Sequence, residues 1–412
     1  MRILLIHQYF LEEDDAGGSR WNEMAKVWTE EGNEVVVLAG MIHANSSKKR
    51  PEYKRKYFVK KAQGNITVWR CHVSESYNKS FTGRLWGYFS FMFSSMFAGL
   101  FKVKGSFDAI IVTSPPLFLG ASGYIISRIK RIPFVFEVRD LWPESAIDTG
   151  VLTYKGVIKI AYWFEKFIYR KARLINVLTP AFYKTLKEVK KVPEEKLILI
   201  PNASDFSLSE ELLVNFDRES FRKEMGLDGR FVITYVGAHG VANHLQQILY
   251  AGKKLEDTKV LFLLIGHGME KERLQKMAME MEIKNVKFVD PVPKKEVFKY
   301  ILASEMGASV LKKVDTFKTV YSNKSFDYMS CKTPILMAID GVSRELVEEA
   351  QCGIYVEPEN IDEYDKNIRM YLSDPERVIE EGNNGYEYAK KNFDRSILAK
   401  KYLEAIEGSI RE

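Results

Sequence analysis

Short apolar runs alternate along the chain with longer stretches in which apolar residues recur every three or four positions. Uninterrupted runs of Val, Ile, Leu and Phe are typical of parallel strands covered on both faces, and the longer periods predict helices. In the first half, strands are predicted at residues 3–6, 34–38, 66–70, 109–113, 134–138, 174–178 and 197–200. The helices between them are predicted at residues 18–31, 117–130, 154–171 and 181–190.

A polar break at residues 202–215 precedes a second series of the same kind. Its strands are predicted at residues 231–236, 260–265, 286–289, 307–311, 334–337 and 353–356. Its helices are predicted at residues 244–255, 270–282, 295–303, 325–329 and 342–349. Beyond residue 360 the pattern is helical only, and the run 398–410 needs a surface to pack on, which the first domain offers.

This alternation predicts an α/β protein with parallel, doubly wound sheets. We expect two Rossmann-like domains that face a cleft, residues 1–202 and 203–394. A C-terminal helix at residues 395–412 is expected to pack back on the first domain. The polar, basic stretch at residues 44–61 is predicted to be a mobile loop.

Composition excludes several classes of protein. Apolar residues are 46% and charged residues 28% of the chain, which is ordinary globular usage. The cysteines Cys71, Cys331 and Cys352 form no CxxC pair, so a reducing, cytoplasmic compartment fits better than a disulfide framework or a cysteine-rich zinc site. The first ten residues read as a strand and not as a signal peptide.

Charge is unevenly distributed, although the net charge of +6 is too mild to indicate a nucleic-acid partner. Residues 1–200 carry 31 basic and 19 acidic residues, whereas residues 201–412 carry 30 and 36. One half is therefore basic and the other acidic.

An uncharged aromatic segment, residues 85–101, lies in the basic half. It is either a buried core helix or a helix at a bilayer surface with basic flanks on anionic headgroups. The predicted helix at residues 154–173 mixes cationic and aromatic residues and favours an anionic membrane surface. The residues expected to face membrane or acceptor are Arg84, Trp86, Phe89, Phe93, Lys102 and Lys104.

Glycines follow three predicted strands, at the edge where doubly wound sheets bind ligands. Gly17 and Gly18 follow the first strand, and Gly237 and Gly266 follow two strands of the second domain. Glycine allows backbone N–H groups to approach a phosphate, although a simple tight turn explains each position as well. The GxGxxG pattern of dinucleotide-binding proteins is absent.

Two side chains after Gly237, His239 and Asn243, are candidates to donate to an anion or to sugar oxygens. A histidine that only caps its own loop is the alternative interpretation.

A dense polar cluster surrounds Lys324 in the second half. Ser322 or Asn323 is expected to cap a helix whose first turn contains Lys324. A cation there is unfavourable to the helix dipole, and a bound diphosphate would offset this. Asp327 lies one turn further on and is a candidate to accept from ribose hydroxyls. The alternative is an ordinary surface ion pair.

A second cluster follows the predicted strand at residues 134–138. It places Arg139, Asp140 and Glu144 with a tryptophan at a strand end, where polar residues are often functional. A structural ion pair with a packed tryptophan is the alternative.

Several motifs occur together: ILLIHQYF with a following GG, VRDLWPES, LIPNASDF, YVGAHG, LIGHGMEKERL, NVKFVDPVPKKEV and YSNKSFDYMSCKTPIL. In this order and spacing they resemble the family 4 glycosyltransferases of the GT-B fold over nearly the whole chain. The resemblance is greatest to the bacterial branch that builds O-antigen and capsule, which includes L-fucosamine transferases.

The resemblance implies a nucleotide-sugar donor on the second domain, UDP-linked by default, and a lipid-linked glycan acceptor on the first. It implies transfer of a sugar, such as an N-acetylated amino or deoxy sugar, with retention at the anomeric carbon. It also implies no metal and no cofactor, and a peripheral location on the inner face of the plasma membrane.

Carried over by position, the resemblance assigns Lys324 to the donor diphosphate and Asp327 to the ribose. Asp327 stands where a glutamate is usual, and Thr319 stands at the family's other glutamate position. Ala238, His239 and Asn243 replace the usual arginine and lysine, with His239 the apparent substitute.

In the first domain, Arg139 replaces a histidine, and Asp140 and Glu144 are expected to orient the acceptor or take its proton. Together with His239 these are the candidate catalytic residues; Gly17, Gly18, Gly237, Asn243, Gly266, Ser322 and Asn323 complete the donor site.

Two other functions remain open. One is an NAD-dependent oxidoreductase or epimerase acting on sugar nucleotides, which the missing glycine triad disfavours. The other is a non-catalytic scaffold that binds sugar nucleotides or lipid in a polysaccharide assembly complex.

Overall fold

The computed structural model describes residues 1–12, 15, 20–42, 48–76, 81–148 and 152–411. The predicted donor residues Gly17 and Gly18 lie outside these ranges. The chain divides into two compact units. One unit contains Ser19–Pro201 together with Met1–Asp15 and Ser396–Glu412, and the other contains Asn202–Arg395.

Strands and helices alternate through most of the chain. The strands are β1 (Arg2–Ile6), β2 (Glu34–Gly40), β3 (Phe58–Gln63), β4 (Ile66–Cys71), β5 (Ala109–Ser114), β6 (Phe134–Val138), β7 (Leu174–Val177), β8 (Leu197–Leu199), β9 (Phe231–Val236), β10 (Val260–Ile265), β11 (Val286–Val289), β12 (Met306–Val310), β13 (Ile335–Ala338) and β14 (Gly353–Tyr355). The α-helices are α1 (Arg20–Glu30), α2 (Phe81–Phe97), α3 (Leu119–Lys130), α4 (Glu144–Asp148), α5 (Lys155–Lys171), α6 (Pro180–Lys184), α7 (Phe206–Asn215), α8 (Arg218–Met225), α9 (Gln246–Lys254), α10 (Lys271–Glu280), α11 (Lys294–Leu302), α12 (Asn323–Ser330), α13 (Val342–Ala350), α14 (Ile361–Ser373), α15 (Pro375–Asn392) and α16 (Arg395–Arg411).

Each unit is built around one sheet. The first has the strand order β3-β4-β2-β1-β5-β6-β7-β8, and the second has the order β11-β10-β9-β12-β13-β14. All pairs are parallel except β3 with β4. Central strands such as β5 and β10 are buried along their whole length, as expected for strands covered on both faces. The predicted fold class, two Rossmann-like parallel sheets, is confirmed.

The C-terminal helix α16 completes the first unit, as the sequence predicted. The indole Nε1 of Trp28 in α1 donates to the Ala399 carbonyl at 2.8 Å. The Tyr402 ring lies 6.0 Å from the Trp21 ring and 5.9 Å from the Trp28 ring. These buried rings fix α16 against α1.

The expectation of a mobile loop at residues 44–61 is wrong for its last part, and residues 44–47 lie outside the described ranges. Residues 58–61, expected in a mobile loop, belong to β3, which pairs antiparallel with β4 from Phe58 opposite Cys71. Edge strands often carry exposed lysines. The lysines of β3 interrupt the alternation of apolar and polar residues that would predict a strand. The polar break at residues 202–215 contains α7. Ser209 is one of the buried residues of this helix, so a polar residue interrupts its helical period of apolar residues.

Candidate functional site

Two glycine loops of the second unit touch at the carboxyl ends of β9 and β10. Gly237 has φ +146° and Gly266 has φ +149°. A Cβ atom on Gly266 would lie 1.9 Å from the Gly237 carbonyl oxygen, and one on Gly268 would lie 2.4 Å from the His239 carbonyl oxygen. The glycines are therefore required by close backbone contact between the loops.

Lys324 joins this pair of loops from the start of α12. Its Nζ lies 5.0 Å from the centre of the Tyr235 ring and 3.5 Å from Ser322 Oγ. Its Cε lies 3.5 Å from where a Cβ on Gly237 would be. Burial lowers the pKa of Lys324 to about 8, with the Asp327 carboxylate opposing this shift. The structure thus places Lys324 beside the first glycine loop.

The start of α12 has no side-chain cap, which corrects the capping expectation. Ser322 occupies the N-cap position, but its side chain accepts no hydrogen bond from the helix backbone. Its hydroxyl instead donates to Ser309 Oγ at 3.2 Å, and its backbone N–H donates to Ser343 Oγ at 3.0 Å. The first turn also contains no acidic residue, so the helix dipole there is not neutralised locally.

Asn323 and Asp327 face the segment that begins the second unit. Asn202 Nδ2 donates to Asn323 Oδ1 at 2.6 Å, and Ser204 Oγ lies 3.5 Å from Asp327 Oδ1. Ser204 also donates to Ser330 Oγ at 2.7 Å. The α12 side chains therefore divide between two neighbours: Lys324 meets the β9 loop, and Asp327 meets the junction segment.

His239, a candidate to donate to an anion or to sugar oxygens, has a buried and neutral ring. Its side chain is fully buried, and neither ring nitrogen has a hydrogen-bond partner among the residues that the structure describes. Burial, with smaller contributions from Lys271 and His267, lowers its pKa to about 4. The ring is therefore neutral near pH 7, and the residue connects the two loops through its backbone: its N–H donates to the His267 carbonyl at 3.0 Å.

Asn243 and Thr319 each donate a hydrogen bond within their own turn. Asn243 ends the 3₁₀ turn Val241–Asn243, and its backbone N–H donates to the Gly240 carbonyl at 3.1 Å. The Thr319 hydroxyl donates to the Thr316 carbonyl at 2.8 Å.

The candidate residues of the first unit follow β6, and each has different partners. Asp140 accepts from Ser145 Oγ at 2.7 Å, and burial raises its pKa. Arg139 contributes, after burial, to lowering the pKa of His7, a buried side chain whose Nδ1 lies 2.8 Å from Thr113 Oγ1. Arg139 therefore acts electrostatically toward the end of β1, an interaction that local sequence spacing does not indicate.

Glu144 belongs to a charge network that sequence spacing did not reveal. It opens α4 and accepts from Lys190 Nζ, which also donates to Glu165 Oε2 at 2.7 Å. Burial raises the pKa of Glu165 to about 7, with Lys190 opposing the shift. Glu144 is expected to orient the acceptor or take its proton, but in the structure its carboxylate accepts from Lys190 in this ion pair.

The predicted membrane segment has both a packed and an exposed side. Phe93 in α2 is 53% exposed and Trp86 is 58% exposed. Phe89, by contrast, is half-buried, and its ring lies 4.9 Å from the Phe118 ring. Lys102 and Lys104 are exposed beyond α2, while the Arg84 side chain lies outside the described part.

Exposed apolar residues continue on the neighbouring helices. Ile129 in α3 is 64% exposed, and Trp163 in α5 is 66% exposed. We call the exposed side chains of α2, α3 and α5 the aromatic face; the Phe118 and Phe164 rings, 6.2 Å apart, lie beneath it. Within the described residues, no helix combines the length and the hydropathy needed to cross a bilayer.

Family models match both halves of the chain. The model described as a glycosyl transferase 4-like domain matches residues 16–203, and the one described as glycosyl transferases group 1 matches residues 217–392. Both halves are glycosyltransferase domains. The transferase is 23% identical over 416 residues to WcaI of Escherichia coli, named as a colanic acid biosynthesis glycosyl transferase, with 99% of this chain and 100% of that protein covered.

Solved structures give the same fold for the transferase. Alr3699/HepE of Anabaena, solved in complex with UDP, matches with a TM-score of 0.72 and 16% identity, over 99% of this chain and 100% of that one. WaaG, a glycosyltransferase involved in lipopolysaccharide biosynthesis, matches with a TM-score of 0.69 and 13% identity, over 98% and 99%. These likenesses establish the GT-B fold.

Proposed function

We propose that this glycosyltransferase moves a sugar from a UDP-linked donor to a lipid-linked glycan during synthesis of a bacterial surface polysaccharide. Support comes from Alr3699/HepE, which was solved with UDP, and from WcaI and WaaG, which are named for polysaccharide and lipopolysaccharide biosynthesis. Retention at the anomeric carbon and independence from metal rest on the resemblance to family 4.

The position of Lys324 beside the Gly237 loop carries the donor assignment. As the sugar leaves, negative charge develops on the nucleoside diphosphate and needs donors that are already in place. The Lys324 ammonium and the uncapped start of α12 supply positive charge at one point. Burial disfavours the charged form of Lys324 in the free protein. A bound diphosphate would stabilise this poorly solvated ammonium, which favours binding.

The remaining donor contacts are proposed around this point. The Gly237 and Gly266 loops bring backbone to the diphosphate, and Asp327 accepts from the ribose hydroxyls. Asp140 is our candidate in the first unit for orienting the acceptor hydroxyl or taking its proton, because burial raises its pKa toward that of a useful base.

Binding of UDP alone tests the donor site without knowledge of the sugar. We expect Lys324→Ala to weaken UDP binding by about 10–100-fold, since a charge-assisted hydrogen bond contributes roughly 1.5–3 kcal/mol. Lys366→Ala, which removes an exposed lysine of α14, is the matched control and should bind as the wild type does. Isothermal calorimetry on the full chain measures both.

Unchanged UDP affinity in the Lys324→Ala variant would overturn the donor assignment. A panel of UDP-sugars with lipid-linked glycan extract then tests turnover through UDP release. Binding of UDP with no release from any donor would favour the scaffold interpretation instead.

We further propose that the aromatic face holds the first unit on the cytoplasmic surface of an anionic membrane. Trp163→Ser should weaken binding to vesicles with anionic headgroups about tenfold, because a buried aromatic side chain contributes ~1.5–3 kcal/mol. Tyr250→Ser, at an exposed aromatic residue of α9, is the control. Equal vesicle binding by both variants in co-sedimentation would contradict the proposal.

A further inference from the structure

A large pocket of the first unit lies between α5 and the segment at residues 189–196 that leads into β8. Its volume is about 610 Å³, within the ~300–1,000 Å³ of pockets that hold small-molecule ligands. One part of its wall is aromatic or aliphatic: Tyr162, Tyr169, Val189, Val192 and Pro193. Such a wall suits a ligand that carries hydrocarbon groups.

Two lysines of the wall have partners within the fold. Lys190 donates to Glu144 and, at 2.7 Å, to Glu165 Oε2, the one carboxylate among the wall residues that the structure describes. Lys196 donates to two carbonyls at the C-terminal end of α5, and burial lowers its pKa, with Glu195 opposing the shift. The charges of both lysines are therefore offset by protein groups.

Three exposed cations of the wall form no ion pair within the described residues: Lys166, Arg170 and Lys191. Two nearby acidic residues act on a lysine outside the pocket, since Glu194 pairs with Lys187 at 2.6 Å and Glu188 also raises the Lys187 pKa. Glu412, at the end of the chain, lies outside the described ranges. A phosphate among the three exposed cations would gain charge-assisted hydrogen bonds.

Two of these cations lie on α5 between the pocket and the aromatic face. Trp163, Lys166 and Arg170 are three and four positions apart, so they follow one side of the helix. On the other wall of the pocket, Val189 is 71% exposed. Cations beside exposed apolar residues are the arrangement expected where a protein meets a lipid headgroup and the first part of its chains.

We propose that this pocket binds one anionic glycerophospholipid of the membrane on which the aromatic face rests. The inference rests on the proposed function, because that function places the first unit on an anionic membrane. Lys166, Arg170 and Lys191 bind the lipid phosphate, while Val189 and Val192 contact the first methylene groups of the chains. The first unit thereby selects an individual lipid in addition to responding to the charge of the surface.

Short-chain lipids test the pocket without any bilayer. Ligand-observed NMR on the full chain uses three probes below their micelle concentrations: dihexanoyl phosphatidylglycerol, dihexanoyl phosphatidylcholine and glycerol 3-phosphate. We expect phosphatidylglycerol to bind about tenfold more tightly than either of the others. The choline group carries a positive charge that the wall cations repel, and glycerol 3-phosphate has no chain to contact the apolar wall.

Two variants, each with a matched control, locate the binding. Arg170→Gln should weaken phosphatidylglycerol binding about tenfold through loss of charge-assisted bonds, and Val189→Ser about fivefold through loss of apolar contact. Lys60→Gln removes the same charge from an exposed lysine of β3, at the opposite edge of the sheet from β8. Val214→Ser replaces an exposed valine of α7. Both controls should bind phosphatidylglycerol as the wild type does.

Absence of phosphatidylglycerol binding, equally tight binding of either other probe, or binding that neither variant weakens would overturn the inference. Vesicle binding by the Trp163→Ser variant separates this proposal from that of the aromatic face. If Trp163→Ser weakens vesicle binding but the wild type binds no short-chain lipid, the protein uses its aromatic face and lacks this pocket's function.

Discussion

Two lysines with restricted solvent access, one in each unit, have opposite surroundings. Lys190 has a side chain 12% exposed, donates to Glu144 and Glu165, and lies 4.6 Å over the Tyr162 ring. Although burial acts to lower its pKa, the two carboxylates raise it. Lys324 meets a hydroxyl and a ring, and its pKa is lowered.

The difference separates a lysine that completes the fold from one that is ready for a ligand. Removing Lys190 from its ion pairs leaves buried carboxylates without a cation, which destabilises the fold. Removing Lys324 eliminates a cation whose burial is unfavourable, which does not. Stability and ligand binding should therefore respond in opposite ways at the two sites.

The largest expected effect comes from replacing each lysine with methionine. We expect Lys190→Met to lower the free energy of unfolding of the first unit by about 3 kcal/mol, because Glu165 stays buried without its cation. Lys324→Met should leave the second unit unchanged or stabilise it by on the order of 1 kcal/mol. Urea unfolding measures both.

The tryptophans allow the two units to be followed separately. All six lie in residues 1–200, so tryptophan fluorescence reports on the first unit, while far-UV circular dichroism reports on both. Equal losses of stability in the two variants would contradict the contrast between Lys190 and Lys324.

A smaller effect is expected from pH on UDP binding. Below about pH 8 Lys324 is protonated in the free protein, and above it UDP binding requires uptake of a proton. UDP affinity should therefore fall as pH rises through 8, by at most about tenfold per pH unit for one proton. The Lys324→Ala variant is the control and should lose this dependence; its persistence there would assign the titration to another group.

The smallest effect is expected from Glu165→Gln. The folded-state pKa of Glu165, about 7, exceeds its ordinary value of 4.5, so between these values the folded state binds more protons than the unfolded state. Stability of the wild-type first unit should therefore decrease as pH rises through that window. The variant should show a flatter profile in fluorescence-monitored unfolding, and an equal slope would exclude Glu165 as the source.

Periodicity was sufficient to predict most strands and helices, because the buried strands are continuous apolar runs. It failed where polar residues occupy structured positions, such as the lysines of β3 and Ser209 of α7. In these places tertiary pairing outweighs local composition, and one sequence does not show the pairing partner.

The candidate site was predictable to a similar extent. Lys324 and Gly237 were both singled out, and the structure brings them together. The neutral state of His239 was not predictable, because burial, which sets its pKa, does not appear in local spacing. The contact of Glu144 with Lys190 joins residues 46 positions apart and leaves no local signal.

The return of α16 to α1 has a consequence for biosynthesis. The surface on Trp21 and Trp28 is covered only when residues near Tyr402 have been made, after the whole second unit. At ~5–20 residues per second, the first unit waits about 10–40 s on the ribosome with this surface uncovered. Synthesis of the first unit therefore begins before that of the second but ends after it, because α16 is made last.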